Sequence, residues 1–384
     1  MDSTFEGAFD GVFDWVVVGA GPAGIAAVGQ LIESGVDSHR VAWIDPHFTV
    51  GDFGASWRLV ISNTPVDTFM KYFREIRSFQ FSSRTTPFDI EKMAPLSTCP
   101  LAMVAAPLQW ITDQLKARVT VTVDHAVSLA CQADVWRVTL GSGSTLRGHR
   151  VILAIGAEPK RLPFAGLAEI SLKTALNPLA LRRQVQRNDH VAVFGDAQSA
   201  RSTLQNLLGL GVAKISHFFH SKSSVVRHLK DVDLSGVRSM PDTTANLLAT
   251  IPHCTKVVYA AGFERRSIQI DGLPDNFGYD SNTGIIGPGL YGLGIAFPEV
   301  LPHELGRAEY RVVAIWPILK HLQRCLPIWS SQPGVSSITS PDQANPPTVD
   351  TAPANTLRRE SPSAPASDGL LPISPDGTEY SASD

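Results

Sequence analysis

The residues best placed to do chemistry are three glycines and an acid close to the start of the chain. Residues 14–45 read Asp14, the apolar run Trp15-Val16-Val17-Val18, then Gly19-Ala20-Gly21-Pro22-Ala23-Gly24, a helical stretch, and Val41-Ala42-Trp43-Ile44 ending on Asp45. Gly19 permits a tight turn, Gly21 lets backbone approach a pyrophosphate without a Cβ between, and Gly24 lets the next helix lie close to the strand. The helix start, with Ala23 in its first turn, offers unpaired N–H groups and the positive end of its dipole to phosphates. Asp45 lies 21 residues beyond Gly24, at the end of a second strand, where a carboxylate accepts ribose hydroxyls. A glycine triplet alone is a weak signal. Strand, glycines, helix, strand and acid in register predict a dinucleotide site.

The pattern recurs. His190-Val191-Ala192-Val193-Phe194 reads as a strand, followed by Gly195-Asp196-Ala197-Gln198-Ser199-Ala200, an amphipathic helix, and a strand running to Phe219. From Gly19 to Asp45 is 26 positions, and from Gly195 to Ser221 is also 26. Where the first copy has an acid, this count places Ser221 and Lys222, with Arg227 close behind. A hydroxyl and cations there suit a 2′-phosphate and hence NADPH, or form an ordinary solvated basic loop. Gly195, Ala197, Gln198, Ser199 and Ala200 are the expected phosphate contacts, although Ala197 stands where the middle glycine would be.

Between the two copies, Trp57 offers a ring either to a flavin or to the core, and Arg58 a charge either to a phosphate or to solvent. Asn63 is short, uncharged and both donor and acceptor, which suits holding a flavin or nicotinamide, or simply a turn before Thr64-Pro65. The histidines show no ligand spacing and read as surface or satisfied core residues; no metal site is expected. Without a Gly-x-Ser-x-Gly elbow, the chemistry is expected to belong to a cofactor.

The elements that must position these groups follow from periodicity. A helix is expected over 66–73 and another over 107–117, where Leu108, Ile111 and Leu115 share a face. Alternation over 119–123, 126–129 and 135–140 predicts a β-meander, and 151–155 a return to a buried parallel sheet. A last helix is expected over 305–326, bent at Pro317. The fold class is therefore α/β, two Rossmann-like three-layer domains. The expected divisions are 14–165 for the first dinucleotide domain, first part, 166–266 for an inserted second dinucleotide domain, 267–328 for the second part of the first with its helix, and 330–384 a disordered tail rich in Pro, Ser and Thr.

Composition excludes little else. With 384 residues and 43% apolar content the chain can bury one large core or two. A net charge of −3 and the lack of a basic aromatic stretch argue against nucleic acid. No apolar run approaches a membrane span of about 18 residues. Residues 1–13 lack a charged-then-apolar leader, and Cys99, Cys131, Cys254 and Cys325 form no pair, so a reducing cytoplasm and four small buried hydrophobes are expected.

Taken together, Gly19-x-Gly21-x-x-Gly24, the 54–57 segment, Ser62-Asn63-Thr64-Pro65, Leu153-Ala154-Ile155-Gly156, Gly195-x-Ala197-x-Ser199-Ala200 and Ala260-Ala261-Gly262-Phe263 occur in the order found in flavin-containing monooxygenases, which the chain resembles over about 14–294. The resemblance implies FAD in the first domain and NADPH in the second. It implies a flavin hydroperoxide formed from dioxygen that oxygenates a small soft nucleophile such as an amine or thioether. It places Asn63 as the catalytic asparagine that helps hold nicotinamide and peroxyflavin. Val127, Gly156 and Gly294 complete the expected cofactor contacts. Ala197, Ala261 for the usual threonine, and Phe164-Ala165-Gly166 without a following histidine depart from the family pattern. The alternatives are an FAD oxidase or NAD(P)H-dependent reductase without oxygenation, and a non-enzymatic flavin-binding scaffold.

Overall fold

The chain is described by a computed structural model covering residues 11–132, 134–162, 166–301 and 310–332. Residues 333–384 of the expected tail and the Phe164-Ala165 part of the reduced motif lie outside the described residues, whereas Ser330 and Ser331, expected in that tail, close the last helix.

The first sheet grows around β1 (Val12–Val18), whose apolar run is buried because it has parallel neighbours on both sides. After the glycine turn, α1 (Pro22–Glu33) packs back through Ile25, Ala26 and Ala27, and β2 (Val41–Ile44) pairs with β1. Then come α2 (Gly51–Ala55), α3 (Val66–Glu75) and α4 (Leu101–Lys116). Helix α4 starts six residues earlier than periodicity predicts, since Pro107 lies buried inside it rather than opening it.

β3 (Thr120–Thr122) does not join the meander. It pairs parallel with β2 at the sheet edge, so the meander begins at β4 (Ala126–Gln132) and runs through β5 (Val135–Leu140) into β6 (Thr145–Leu153). β6 is one long strand. Its first half pairs antiparallel with β5 while it runs parallel beside β1 along its length.

The chain leaves this sheet through β7 (Ala157–Pro159) and builds a second, five-stranded one. Its members are β8 (Ala168–Glu169), β9 (His190–Phe194), β10 (Lys214–Phe219), β11 (Val237–Pro241) and β12 (Lys256–Tyr259), all paired parallel in the order β11-β10-β9-β12-β8. Between them lie α5 (Leu172–Ala175), α6 (Pro178–Leu181), α7 (Gln198–Gly209), α8 (Lys222–Leu229) and α9 (Thr244–Thr250). Both faces are covered by apolar clusters, as an all-parallel sheet requires.

The return path, β13 (Phe263–Arg265), pairs antiparallel with β7, so the two crossings form one ribbon. β14 (Gln269–Ile270) then adds to the meander, and β15 (Ile285–Gly287) and β16 (Leu290–Gly292) follow, β16 pairing parallel with the second half of β6. The last helix, α10 (Ile315–Ser331), starts ten residues later than expected. Pro317 sits in its first turn, where a missing N–H costs nothing, so no bend arises there. Three cysteines are buried as expected, but Cys131 is exposed on β4.

Candidate functional site: two dinucleotide cradles

The first cradle is shaped by steric necessity. A Cβ on Gly19 would lie 2.3 Å from the Ala154 carbonyl oxygen, and one on Gly24 would lie 1.9 Å from that of Gly19. Strand, turn and helix are therefore in backbone contact. At Gly21, the N-cap of α1, a Cβ would meet nothing within 4 Å. Space is kept open at the helix start, and no side chain caps it, so its first N–H groups are left for an anion. These features fit the pyrophosphate of a dinucleotide.

The turn is tied on both sides. The Gly19 N–H donates to the Ile44 carbonyl at 2.7 Å, and the Trp43 indole N–H donates to the Gly19 carbonyl at 2.9 Å. Asp45 is buried, with one carboxylate oxygen accepting from Ala20 N–H at 2.7 Å. Its other oxygen accepts from His47 and Phe48 N–H at 2.9 and 2.7 Å. The expected ribose acid is thus first a strap holding the turn to the loop after β2. That loop is strained: Phe48 and Val50 have φ of 49° and 65°, and Gly51 is so close that its Cβ would sit 3.1 Å from Gly21 Cα. No spacing in the sequence flags Phe48 or Val50 as part of the cradle wall.

Other expected contacts distribute unevenly. Gly294 reaches the first turn of α1, where a Cβ on it would lie 2.6 Å from Ala23 Cβ. Gly156 has φ of 72° and is packed under Arg266, whose backbone N–H donates to its carbonyl at 3.2 Å. Trp57 is half-buried against the second sheet's cluster and meets Phe263 edge-on at 6.1 Å. Arg58 and Asn63 are exposed. Asn63 sits in a turn pinned by its neighbour Ser62, whose hydroxyl donates to the Thr64 carbonyl at 2.8 Å and accepts from Cys99 N–H at 3.2 Å. Val127 is 39% exposed on β4, and no described contact ties it to the glycine turn.

The second cradle repeats the first by register. Val18 pairs with Ile44 and Phe194 with Phe218, so Phe219 is the structural counterpart of Asp45; Ser221 lies two residues further on because the helix-to-strand connection is shorter. A Cβ on Gly195 would lie 2.1 Å from the Ala260 carbonyl oxygen, and Gly195 N–H donates to Phe218 at 2.9 Å. The carboxylate strap is inverted. Asp196 stands where Ala20 stands, and it accepts from the Ser221 N–H at 2.8 Å. Ala197 caps α7 with no side-chain bond, leaving the N–H groups around Gln198 and Ser199 for an anion, and Ala200 is buried. Lys222 is exposed at the start of α8; the Arg227 side chain lies outside the described atoms.

Residues 16–158 match the FAD-NAD(P)-binding family. That match covers the first glycine turn and the meander, and the two-sheet fold as a whole is similar to the two-dinucleotide-fold architecture of the flavin-containing monooxygenases. A curated relative, monooxygenase AgnR1 of Paecilomyces divaricatus, is 28% identical over 387 residues, covering 82% of this chain and 97% of the relative. Among solved structures, a flavin-containing monooxygenase from Stenotrophomonas maltophilia superposes with a TM-score of 0.54 at 14% identity, covering 83% of this chain and 98% of its own. A doubly substituted variant of that protein does so with the same score and coverage at 12% identity. At that identity these two likenesses bear on the fold alone.

Proposed function

We propose that the chain is an NADPH-dependent monooxygenase acting on a small organic nucleophile. FAD is assigned to residues 14–165 with 267–328, and NADPH to 166–266. The observation that carries this reading is the pair of uncapped, glycine-lined helix starts on two sheets joined by the β7–β13 ribbon, in a chain that aligns over nearly the whole of a relative named as a monooxygenase.

The chemistry supplied by the bound cofactors is hydride transfer from nicotinamide to flavin and use of dioxygen to oxygenate an amine or thioether. The chain's own part is to bind, orient and exclude water. The amides opening α1 and α7 would hold the two pyrophosphates, Gly21 leaving open space in the first cradle and Ala197 setting a methyl at the same position in the second. Asp45 and Asp196 keep the two turns in place. Ser221 and Lys222 would hold the nucleotide's 2′-phosphate, and Trp57, packed on the second sheet's cluster and edge-on to Phe263, would offer its ring to the flavin. Asn63, exposed with its amide largely uncommitted, would be the residue that holds the nicotinamide and the flavin ring. Among the described residues no helix is long and apolar enough to cross a membrane. The described cysteines are free, which suits the reducing cytoplasm as the compartment.

The test is anaerobic addition of NADPH to the purified yellow protein, followed by air and a panel of amines and thioethers. Bleaching, then oxygenated product matched to NADPH consumed, is the expected result. Hydrogen peroxide equal to NADPH with every nucleophile replaces the proposal with an oxidase. A flavin never bleached by NADPH or NADH points to a non-enzymatic flavin-binding protein.

A further inference from the structure

The two cradles share one contact made by different side chains. In the first sheet Val17 pairs with Trp43, and in the second Val193 pairs with His217. Each partner is fully buried on the strand next to the glycine turn. The Trp43 indole N–H donates to the Gly19 carbonyl at 2.9 Å, and the His217 Nε2 lies 2.6 Å from the Gly195 carbonyl oxygen. A carbonyl has no hydrogen to give, so Nε2 carries the proton. Nδ1 then accepts from the Ser239 hydroxyl at 3.1 Å, which sets the tautomer from the far side. An indole and an imidazole differ in size and shape; what they have in common at this position is a buried N–H aimed at the first glycine's carbonyl.

That carbonyl matters for the nucleotide because a peptide unit is planar. Holding the Gly195 oxygen toward the sheet turns the Asp196 N–H of the same unit the opposite way. The following amides inherit that orientation as they enter α7, whose start has no side-chain cap. Burial pushes the His217 imidazole below its ordinary range, against the opposing pull of the Gly195 carbonyl and the Asp196 carboxylate, so the neutral, directional form is kept. Neither the spacing of the histidines nor the glycine motif points to this residue; the strand register does.

We propose that His217 is the positioning residue of the second cradle, fixing the Gly195 carbonyl and thereby aiming the amides that open α7 at the pyrophosphate of a nicotinamide dinucleotide. This rests on the reading that the second cradle takes NADP(H). Trp43 does the same for FAD. The two cradles can therefore be perturbed one at a time.

The experiment is calorimetric titration of NADP⁺ into the FAD-loaded full-length protein and two variants, with bound FAD counted by absorbance. His217→Leu removes the donor, and His217→Gln keeps an amide N–H at similar reach. The expected result is that His217→Leu binds NADP⁺ about tenfold more weakly, the order set by one hydrogen bond to a buried carbonyl, with FAD content equal to the parent. His217→Gln should return to within about threefold of the parent. Equal affinity in His217→Leu, no recovery in His217→Gln, or FAD lost in step with NADP⁺ would each overturn the assignment. If the parent itself takes up no NADP⁺, the reading of the second cradle fails first and the role of His217 with it.

Discussion

Asp52 and Arg266, 214 residues apart, meet in an ion pair of 2.8 Å. Asp52 lies on α2, the short helix whose Gly51 abuts the first glycine turn. Arg266 lies at the end of the ribbon that returns from the second sheet, and its guanidinium also donates to the Ile155 carbonyl at 3.3 Å. The pair therefore ties the crossing between the sheets to the wall of the FAD cradle. Both side chains are partly exposed, so solvent screens the attraction. A double-mutant cycle of Asp52→Asn and Arg266→Gln, read by chemical unfolding, should give a coupling of at most about 1 kcal/mol. The rate at which NADPH bleaches the flavin should fall by more than that loss implies; an unchanged rate would reduce the pair to surface decoration.

Gly21 and Gly24 are three residues apart yet should fail differently. A Cβ at Gly24 meets the Gly19 carbonyl at 1.9 Å, so Gly24→Ala cannot fold without separating helix from strand. A Cβ at Gly21 meets nothing, so Gly21→Glu should fold but place bulk and negative charge where the pyrophosphate belongs. Circular dichroism should therefore show native structure in colourless Gly21→Glu, and little soluble Gly24→Ala protein at all. Stoichiometric flavin retained by Gly21→Glu would move FAD elsewhere.

Acid should weaken the fold in two separable stages. His190, His217 and His321 are all held below the ordinary histidine range, chiefly by burial. The unfolded chain then binds more protons than the native one once pH drops under about 6.5, so the stability these groups contribute is present above that value and is lost as pH falls through it. Glu33, Glu91 and Asp189 are lowered as well, with Arg77, Arg84 and Lys256 among the groups that favour their charged forms, and their loss begins only below about 4.5. Melting temperature should fall between pH 7 and 5, and His217→Gln should flatten part of that fall. A flat profile across this window would mean that the imidazoles are not held neutral.

These cases show which features a sequence can carry. Gly19 and Gly24 are legible because backbone contact admits no other residue, and β1 because a strand with two parallel neighbours must be apolar throughout. The strand over 120–122 is legible as a strand, but its partner is not, because period two is shared by meander and parallel edge alike. Pro107 and Pro317 mislead in opposite ways: one lies inside a helix read as starting there, the other in the first turn of a helix read as bent. Asp45 is found by spacing, while its partners depend on the left-handed backbone at Phe48 and Val50, which no residue type announces. His217 reads as an ordinary core histidine until β9 and β10 are laid beside β1 and β2.

Asn63 offers the sharpest separation of chemistry from folding. It is exposed, its one described side-chain bond being a long 3.4 Å contact in which Oδ1 accepts from the Thr64 hydroxyl. Its turn is held instead by buried Ser62, which bonds to Thr64 and Cys99. Asn63→Ala should therefore change stability by no more than about 0.5 kcal/mol, whereas Ser62→Ala, which strips two bonds from a buried turn, should cost about 1–3 kcal/mol. If the asparagine amide orients the nicotinamide and the reacting oxygen, Asn63→Ala should keep full flavin and still oxidise NADPH. More of the consumed oxygen should then leave as hydrogen peroxide and less as oxygenated product. Counting peroxide and product per NADPH in both variants decides the matter. An Asn63→Ala enzyme with parental coupling would return the residue to the simpler role of a turn former before Pro65.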